Sequence, residues 1–253
     1  MSDGKVIIRS EYEIMKIAEA GRYNALLFAE LAQIIKPGIS TMDVENYAVD
    51  FCNKHKIIPT YKYVPRYHWA LCISINEEVV HGIPSKKKII QDGDLVGVDF
   101  GVTLDGYIGD STVTYMVGNV SPTARKLCTA TKEALDKVIR IIRPGATIGD
   151  IGHAIQSHVE PLGFSVVREY VGHGVGQELH EPPSIPHYGQ AGEGLVLQAG
   201  MVIAVEPMIN EGTWQTEVLK DGWTVVTKDR KLSAQFEHTI AVVPGGSRVL
   251  TAV

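Results

Sequence analysis

The amino-acid sequence predicts an α+β fold in which two similar halves surround a mainly antiparallel sheet. The first observation is an internal repeat, because the segment IIKPGISTMD from Ile34 recurs as IIRPGATIGD from Ile141, at an offset of 107 residues. The second observation is that the same offset relates GDLVGVDFG from Gly93 to GMVIAVEPM from Gly200. Both matches keep their glycine aligned, so we expect two halves related by a pseudo-two-fold axis.

Length and composition agree with one large globular domain. We expect a single domain over residues 1–253, with halves at roughly 10–120 and 121–245, and with 45% hydrophobic and 21% charged residues. The net charge of −5 and the lack of a basic stripe argue against nucleic-acid binding. Three widely spaced cysteines favour a reducing compartment, and no apolar run is long enough for a membrane span, which together suggest a cytoplasmic protein.

Each half should begin with two helices. Ser10 and Glu13 form a capping box before a helical apolar period, and Pro37-Gly38 ends that helix. Ser40 begins a second helix that should reach about His55. The second half repeats the plan, with helix signals from Pro122 to about Arg143 and from Thr147 onward.

Seven apolar runs are typical of strands, and their hairpin signals favour antiparallel pairing with the helices packed on one side. These runs are Ala70–Ile75, Asp94–Leu104, Tyr107–Val117, Ser165–Val171, Met201–Glu206, Trp223–Val226 and Ala234–Val243.

One hairpin can be predicted in register. Asp105-Gly106 is a strong type I′ turn signal, and with these two residues as the turn Asp99 faces Thr112. Asp110 lies two residues from Thr112, so both acids should point to the same face as diagonal neighbours, roughly 7–8 Å apart.

Four acids and one histidine stand in these apolar segments, where a charged group is out of place. They are Asp99, Asp110, His173, Glu206 and Glu237. A buried carboxylate is costly unless its charge is compensated, and no cluster of lysines or arginines lies in these segments. Oxygen ligands with one imidazole suit two divalent cations, which points to metal-assisted hydrolysis.

The repeat also relates some of these acids. Asp99 falls on Glu206, so an acid occupies the same place in both halves. The offset then fails, since Asp110 would map onto Glu217 whereas the corresponding acid is Glu237, which is 20 residues later. An insertion of that length in the second hairpin would explain the difference.

The order of these motifs resembles the methionine aminopeptidases, in particular the short bacterial-type (type I) form. The resemblance rests on Asp99 and Asp110 with ten residues between them, then GHGVG, VEP and FEHT, together with SINEEVVHGIP from Ser74. It runs from about Ser10 to Val243. It implies the pita-bread α+β fold with two pseudo-symmetric halves, in agreement with the repeat.

The resemblance also implies the ligands of two divalent metal ions, which could be Co(II), Mn(II), Fe(II) or Zn(II). Asp110, His173, Glu206 and Glu237 would hold one ion. Asp99, Asp110 and Glu237 would hold the other, so that Asp110 and Glu237 are shared.

Further residues receive roles by the same resemblance. Glu206 would be the general base, His180 would contact the substrate carbonyl, and His81 would lie near the scissile nitrogen. The wall of the methionine side-chain pocket would be formed by Tyr67, Cys72, Met208 and Trp223.

The activity implied is removal of the initiator methionine from nascent polypeptides when the next residue is small, by a monomeric enzyme that acts on N-termini at or near the ribosome. Two alternatives remain open at this point. One is an X-Pro aminopeptidase or prolidase, which shares the fold and the five ligands. The other is a non-catalytic binding module of the same fold.

The chain departs from the family pattern around the pocket. The segment YKYVPRYHWALC places Tyr61 and Val64 where the bacterial pattern tends to carry Cys and Tyr, and Leu179 stands where an aromatic residue is usual. We expect these differences to change the entrance of the pocket and to leave the metal ligands intact.

Overall fold

A computed structural model describes residues 5–252. Its helices are α1 (Glu11–Ile34), α2 (Thr41–His55), α3 (Pro122–Ile141) and α4 (Ile148–Val159). The four predicted helices are therefore present, in the predicted pairs. None of the helices in residues 5–252 is long and apolar enough to cross a membrane.

The helix starts follow from their caps. The Ser10 and Ser40 hydroxyls accept the backbone N–H groups of Glu13 and Asp43, whose side chains bond back. The predicted capping box at Ser10 therefore forms, and the predicted helix start at Ser40 has one as well. Helix α3 ends two residues before the predicted Arg143. The reason is that Arg143 precedes a proline, whose ring disfavours helical backbone in the preceding residue.

The strands are mostly short. In chain order they are β1 (Ile58–Pro59), β2 (Cys72–Ile75), β3 (Glu78–Val80), β4 (Leu95–Leu104), β5 (Tyr107–Met116), β6 (Ser165–Val166), β7 (Gly172–Gly174), β8 (Glu181–Ile185), β9 (Val202–Val205), β10 (Met208–Asn210), β11 (Thr216–Val218), β12 (Val225–Thr227), β13 (Ser233–Gln235), β14 (His238–Val243) and β15 (Gly246–Val249). Every pairing between these strands is antiparallel.

The first hairpin, β4–β5, has the predicted register. Leu104 pairs with Tyr107 and Asp99 with Thr112, without a bulge. Asp105 and Gly106 both have positive φ, at 50° and 79°, as a type I′ turn requires.

The second hairpin is interrupted where the first is continuous. Strand β9 pairs with β14 and strand β10 pairs with β13, and both ladders keep one common register. That register places Glu206 opposite Glu237 in the gap between the ladders. Strands β11 and β12 form an excursion between β10 and β13, which is the insertion that the failing repeat indicated.

Two predicted strands are split. The run Ala234–Val243 is divided into β13 and β14, which belong to different sheets. The run Ser165–Val171 is split, because β6 pairs only with β10 and the chain then leaves that sheet to enter β7, beside β9 and β8. An apolar run does not reveal that its two ends belong to different sheets.

Each helix pair covers its own hairpin. The apolar side chains of α1 and α2 pack against β4 in one cluster that contains Leu27, Leu31 and Phe100. Those of α3 and α4 pack against β9 and β14 in another cluster that contains Leu127, Ile151 and Ile203. The helix-pair-then-hairpin order thus recurs, while the division into halves at 10–120 and 121–245 stays a prediction.

Helix α1 approaches strand β5 so closely that only glycines fit at the contact. A Cβ at Gly109 would lie 2.5 Å from the Gly21 Cα and 2.6 Å from its nitrogen. This approach places the backbone next to Asp110 at a fixed distance from the helix.

We expect Gly109→Ala to destabilise the metal-free protein by about 1–3 kcal/mol, because the methyl group must push helix and hairpin apart. The matched control is Gly97→Ala in β4, where the nearest atom to the new methyl would be 3.6 Å away. Urea unfolding of both variants measures the difference. Equal stabilities of the two variants would contradict the close-contact interpretation.

Candidate metal centre and substrate cavity

The five candidate ligands come from both hairpins and from β7. Asp99 lies on β4, Asp110 on β5 and His173 on β7, while Glu206 follows β9 and Glu237 precedes β14. All five line one cavity of about 120 Å³. The structure thus brings together the residues that the sequence predicted as ligands.

Three of them form the tightest cluster. One ligand atom each from Asp110, His173 and Glu237 lies within 4.8 Å of the others. The His173 Nε2 is 3.5 Å from a Glu206 oxygen and 3.8 Å from the Asp110 Oδ2. This is a donor set of carboxylate oxygens and one imidazole nitrogen.

The His173 ring is oriented by its own backbone. Its Nδ1 is 2.9 Å from the Gly174 carbonyl oxygen, so Nδ1–H donates there and the lone pair of Nε2 faces the acids. A Cβ at Gly172 would lie 2.3 Å from the Ala204 oxygen, and a Cβ at Gly174 would lie 2.4 Å from the Pro182 oxygen. These glycines therefore allow β7 to fit between β9 and β8.

Neutral donors orient the carboxylates. The Thr112 hydroxyl donates to Glu237 at 2.8 Å, and the Gln235 amide donates to Glu206 at 3.1 Å. The Tyr61 hydroxyl lies 2.6 Å from the Asp99 Oδ1. Nothing in the sequence marks Gln235 as a site residue except its place two residues before Glu237.

These donors are neutral, so they do not compensate the charge of the ionised carboxylates. Burial, followed by the charge of Asp110, raises the pKa of Asp99 to about 8, and burial raises the pKa of Asp110 to about 6. Burial also raises the pKa values of Glu206 and Glu237 well above the usual range. No lysine or arginine lines the cavity. The donor set and its uncompensated charge therefore fit divalent cations.

His187 supports Glu206 from behind. Its ring is fully buried, and its Nε2 accepts the Glu206 backbone N–H at 3.2 Å. Burial lowers the pKa of His187 to about 3, so the ring stays neutral and can accept that hydrogen bond. No motif around His187 in the sequence indicates a site.

Aromatic rings form one wall of the cavity. Tyr67, Cys72 and Trp223 line it, and the Tyr67 ring packs edge-on against Trp223 at 5.0 Å between centroids. The chain between β11 and β12 brings Trp223 to this position. Met208 does not line the cavity, since it is fully buried in an apolar cluster with Val79 and other valines.

The backbone that precedes Cys72 is held by a buried acid. Both oxygens of Glu45 accept backbone N–H groups, from Ala70 at 2.7 Å and from Leu71 at 3.0 Å. Burial raises the pKa of Glu45, and these two hydrogen bonds oppose the increase. Helix α2 thereby positions the wall of the pocket.

Two histidines stand at the edge of the cavity. The His180 ring packs edge-on against His173, with 4.5 Å between centroids. His81 packs against Trp223 and Tyr170 and has a positive φ of 57°, a strained backbone for a residue with a side chain. Burial lowers the pKa of His81 to about 4, so its ring is neutral at pH 7.

A buried ion pair holds the loop before His180. The Arg9 guanidinium contacts both oxygens of Glu181 at 2.5 Å, and Glu181 also accepts the N–H groups of Gln177 and Glu178. Arg9 precedes α1, so the segment directly before this helix positions a wall of the site. Sequence reasoning missed this pair, because its members are 172 residues apart.

Comparison with known proteins places this fold and site in a class. A family model described as metallopeptidase family M24 matches residues 15–244. Methionine aminopeptidase 1 of Bacillus subtilis is 48% identical over 248 residues, which cover 98% of this chain and all of that protein. A crystal structure of methionine aminopeptidase from Thermotoga maritima superposes with a TM-score of 0.97 at 44% identity, and the match covers 98% of this chain and 100% of that one.

The Xaa-Pro dipeptidase of Bacillus anthracis shares the fold at a lower level, with a TM-score of 0.76 and 24% identity. The match covers 97% of this chain and 62% of the dipeptidase. The fold and the buried cluster of acids are thus those of a metallopeptidase. The chain belongs to metallopeptidase family M24, within the methionine aminopeptidases of the short bacterial type. The pita-bread α+β fold that the sequence predicted is confirmed.

We expect the metal-free protein to lose stability as the pH rises from 7.5 to 8.5. In the unfolded chain the carboxyl groups are ionised throughout this range, whereas in the folded protein Asp99 has its pKa raised to about 8. The folded state then binds more protons, so its stability falls by about 1.4 kcal/mol per pH unit for each carboxyl that is still protonated.

Urea unfolding after chelation, at several pH values, measures this slope. Above pH 7.5 the buried histidines contribute little, because burial lowers the pKa values of His81 and His173 to about 4 and unfolded histidine, which titrates near 6.5, is mostly neutral there. Asp99→Asn should make the slope shallower. A stability that is flat or rises with pH in this window would contradict the expectation.

Proposed function

We propose that this protein removes the N-terminal methionine from polypeptides whose second residue is small. The observation that carries the proposal is a cavity with aromatic rings at one end and the cluster of acids beside it. An unbranched thioether suits such walls, since sulfur contacts aromatic rings favourably. The names of the relatives, which are 41–48% identical over nearly the whole chain, support the same activity.

The metal centre in this proposal contains two divalent ions. Asp110, His173, Glu206 and Glu237 would hold one ion, and Asp99 with the shared Asp110 and Glu237 would hold the other. The ions could be Co(II), Mn(II), Fe(II) or Zn(II), because mixed carboxylate and imidazole ligation accepts each of them. When bound, they would lower the pKa of a water molecule and polarise the scissile carbonyl.

Glu206 is the proposed proton acceptor. One of its oxygens accepts a hydrogen bond from the Gln235 amide. The other lies 3.5 Å from the His173 Nε2 and so faces the other candidate ligands. A carboxylate held in this way can take the proton of the attacking water and pass it to the leaving nitrogen.

The neighbouring histidines would bind the peptide group that is cleaved. His180 stands at the mouth of the cavity, where it would donate to the substrate carbonyl and stabilise the developing oxyanion. His81 faces the same cavity and is neutral at pH 7, so it would assist at the scissile nitrogen.

The position of the acids favours an exopeptidase. Asp99 adjoins the aromatic wall, since the Tyr61 hydroxyl bonds to Asp99 and the Tyr61 ring packs against Tyr67. The free α-amino group of the substrate would bind there as a neutral amine, at the ion that Asp99 would hold. In a substrate with residues before the methionine, those residues would lie against Asp99 and the aromatic wall.

Two other functions are less well supported. The likeness to the Xaa-Pro dipeptidase concerns the fold alone, and that protein is much longer than this chain. A non-catalytic module would have no need for five metal-ligating side chains in one buried cavity, and all five are present here. We further propose that the enzyme acts as a monomer in the cytoplasm on nascent chains, at or near the ribosome.

Asp110→Ala should abolish metal loading and turnover, because it removes a shared ligand. Removal of an outer partner of a ligand typically costs about 10–100-fold. We therefore expect the loss of a ligand itself to lower methionine release by more than about 100-fold. Calorimetric titration with Mn(II) or Co(II) and an assay of methionine release are the two measurements. The control is Asp136→Ala on the exposed face of α3, where only the pairing with Lys132 is lost. Retained metal binding and activity in the Asp110 variant would exclude the two-metal scheme.

The substrate class is tested with the peptides Met-Ala-Ser and Ala-Pro-Ala. After chelation and restoration of Mn(II) or Co(II), we expect metal-dependent release of methionine from the first peptide and no cleavage of the second. The aromatic walls suit a methionine side chain, and an N-terminal alanine leaves them unfilled. Liquid chromatography with mass spectrometry identifies the products.

Either of the two other results would assign the chain to a different functional class. Preferred cleavage before proline would assign the chain to the X-Pro peptidases. No cleavage of either peptide, with metal bound, would favour the non-catalytic module.

A further inference from the structure

We propose that the Tyr61 hydroxyl is a positioning group that sets the orientation of two metal-binding carboxylates, Asp99 and Asp110. The inference deepens the proposed function and rests on the metal centre described there. It assigns a role to a residue at which this chain departs from the bacterial pattern.

The hydroxyl is placed between the two acids. It lies 2.6 Å from the Asp99 Oδ1 and 3.0 Å from the Asp110 Oδ1, within hydrogen-bond distance of both. Its single proton is shared in a three-centre contact, since both partners are acceptors. The Tyr61 side chain is 6% exposed, so water does not replace this donor.

This contact fixes which oxygen of Asp110 remains free. With Oδ1 turned toward Tyr61, the Asp110 Oδ2 faces the His173 Nε2 at 3.8 Å. The Oδ2 atom is thus on the side where the tight cluster with His173 and Glu237 forms. A carboxylate without the hydroxyl could rotate about its terminal bond, because that torsion has a broad energy minimum.

The backbone holds the ring of Tyr61 over the first hairpin. Tyr61 lies in a short 3₁₀ turn, Thr60–Tyr63, that follows β1, and β1 pairs with β4. The hydroxyls of Thr60 and Thr103 bond to each other at 2.9 Å and fasten the start of the turn. Gly101 leaves room for the ring, since a Cβ there would lie 3.1 Å from the Tyr61 Cε1.

The same ring belongs to the pocket wall. Tyr61 packs edge-on against Tyr67, with 6.2 Å between centroids, and both line the cavity. Tyr61 therefore joins the aromatic wall to the metal centre, with its ring in the former and its hydroxyl at the latter. If Tyr61 served only in packing, its ring would be sufficient. Removal of the hydroxyl alone therefore distinguishes a positioning role from a packing role.

The test compares Tyr61→Phe with Tyr67→Phe in the full chain. Each variant removes one buried hydroxyl and keeps the ring, but the Tyr67 hydroxyl donates to the Leu71 carbonyl at 2.8 Å and not to a candidate ligand. Chelated protein is titrated with Co(II), and calorimetry and the visible absorption of the bound ion are recorded. Circular dichroism of the metal-free proteins verifies that each variant is folded.

We expect Tyr61→Phe to lower the Co(II) affinity by about 10–100-fold, the range typical for an outer partner of a ligand, and to change the visible spectrum. Tyr67→Phe should leave the affinity and the spectrum as in the unchanged protein. An affinity and spectrum that are unaltered in Tyr61→Phe would overturn the inference and leave the metal centre standing. Equal losses in both variants would also overturn it, in favour of packing. Failure of the unchanged protein to bind Co(II) would overturn the metal centre itself.

Discussion

The repulsion among four acids in one cavity is the constraint on which the rest of the structure depends. Asp110 and Glu237 are buried, and Asp99 and Glu206 are partly buried. Asp99, Asp110, Glu206 and Glu237 share one cavity that no lysine or arginine lines. The groups that touch them are neutral donors, which orient a carboxylate without removing its charge. Burial therefore raises their pKa values, and bound cations are the compensation that this donor set allows.

The two hairpins deliver these acids in different ways. In the first hairpin the acids lie on one face of a continuous ladder, diagonal to each other. In the second hairpin Glu206 and Glu237 face each other where the ladder is open. Like charges directly opposite destabilise a sheet, and Pro207 has no N–H to offer the ladder, so the opening is expected at that place. The two halves of the repeat thus differ at the metal site, where the first hairpin contributes two aspartates and the second contributes two glutamates.

The walls of the cavity come from parts of the chain that have no counterpart in the repeat. The excursion between β10 and β13 brings Trp223, and the turn after β1 brings Tyr61. The chain before α1 contributes Arg9, which holds the loop that carries His180. A symmetric scaffold therefore positions the ligands, whereas asymmetric additions shape the space for a substrate.

Local signals in the sequence determined the four helices, the type I′ turn and the register of the first hairpin, because caps, periodicity and turn residues act over a few positions. They also pointed to the four acids and His173, since an uncompensated charge in an apolar strand is unfavourable. Only the tertiary structure decided the short strands, the split of Ser165–Val171, the burial of Met208 away from the cavity and the support from His187 and Gln235. Those features depend on contacts between residues far apart in the chain, and no local preference records such a contact.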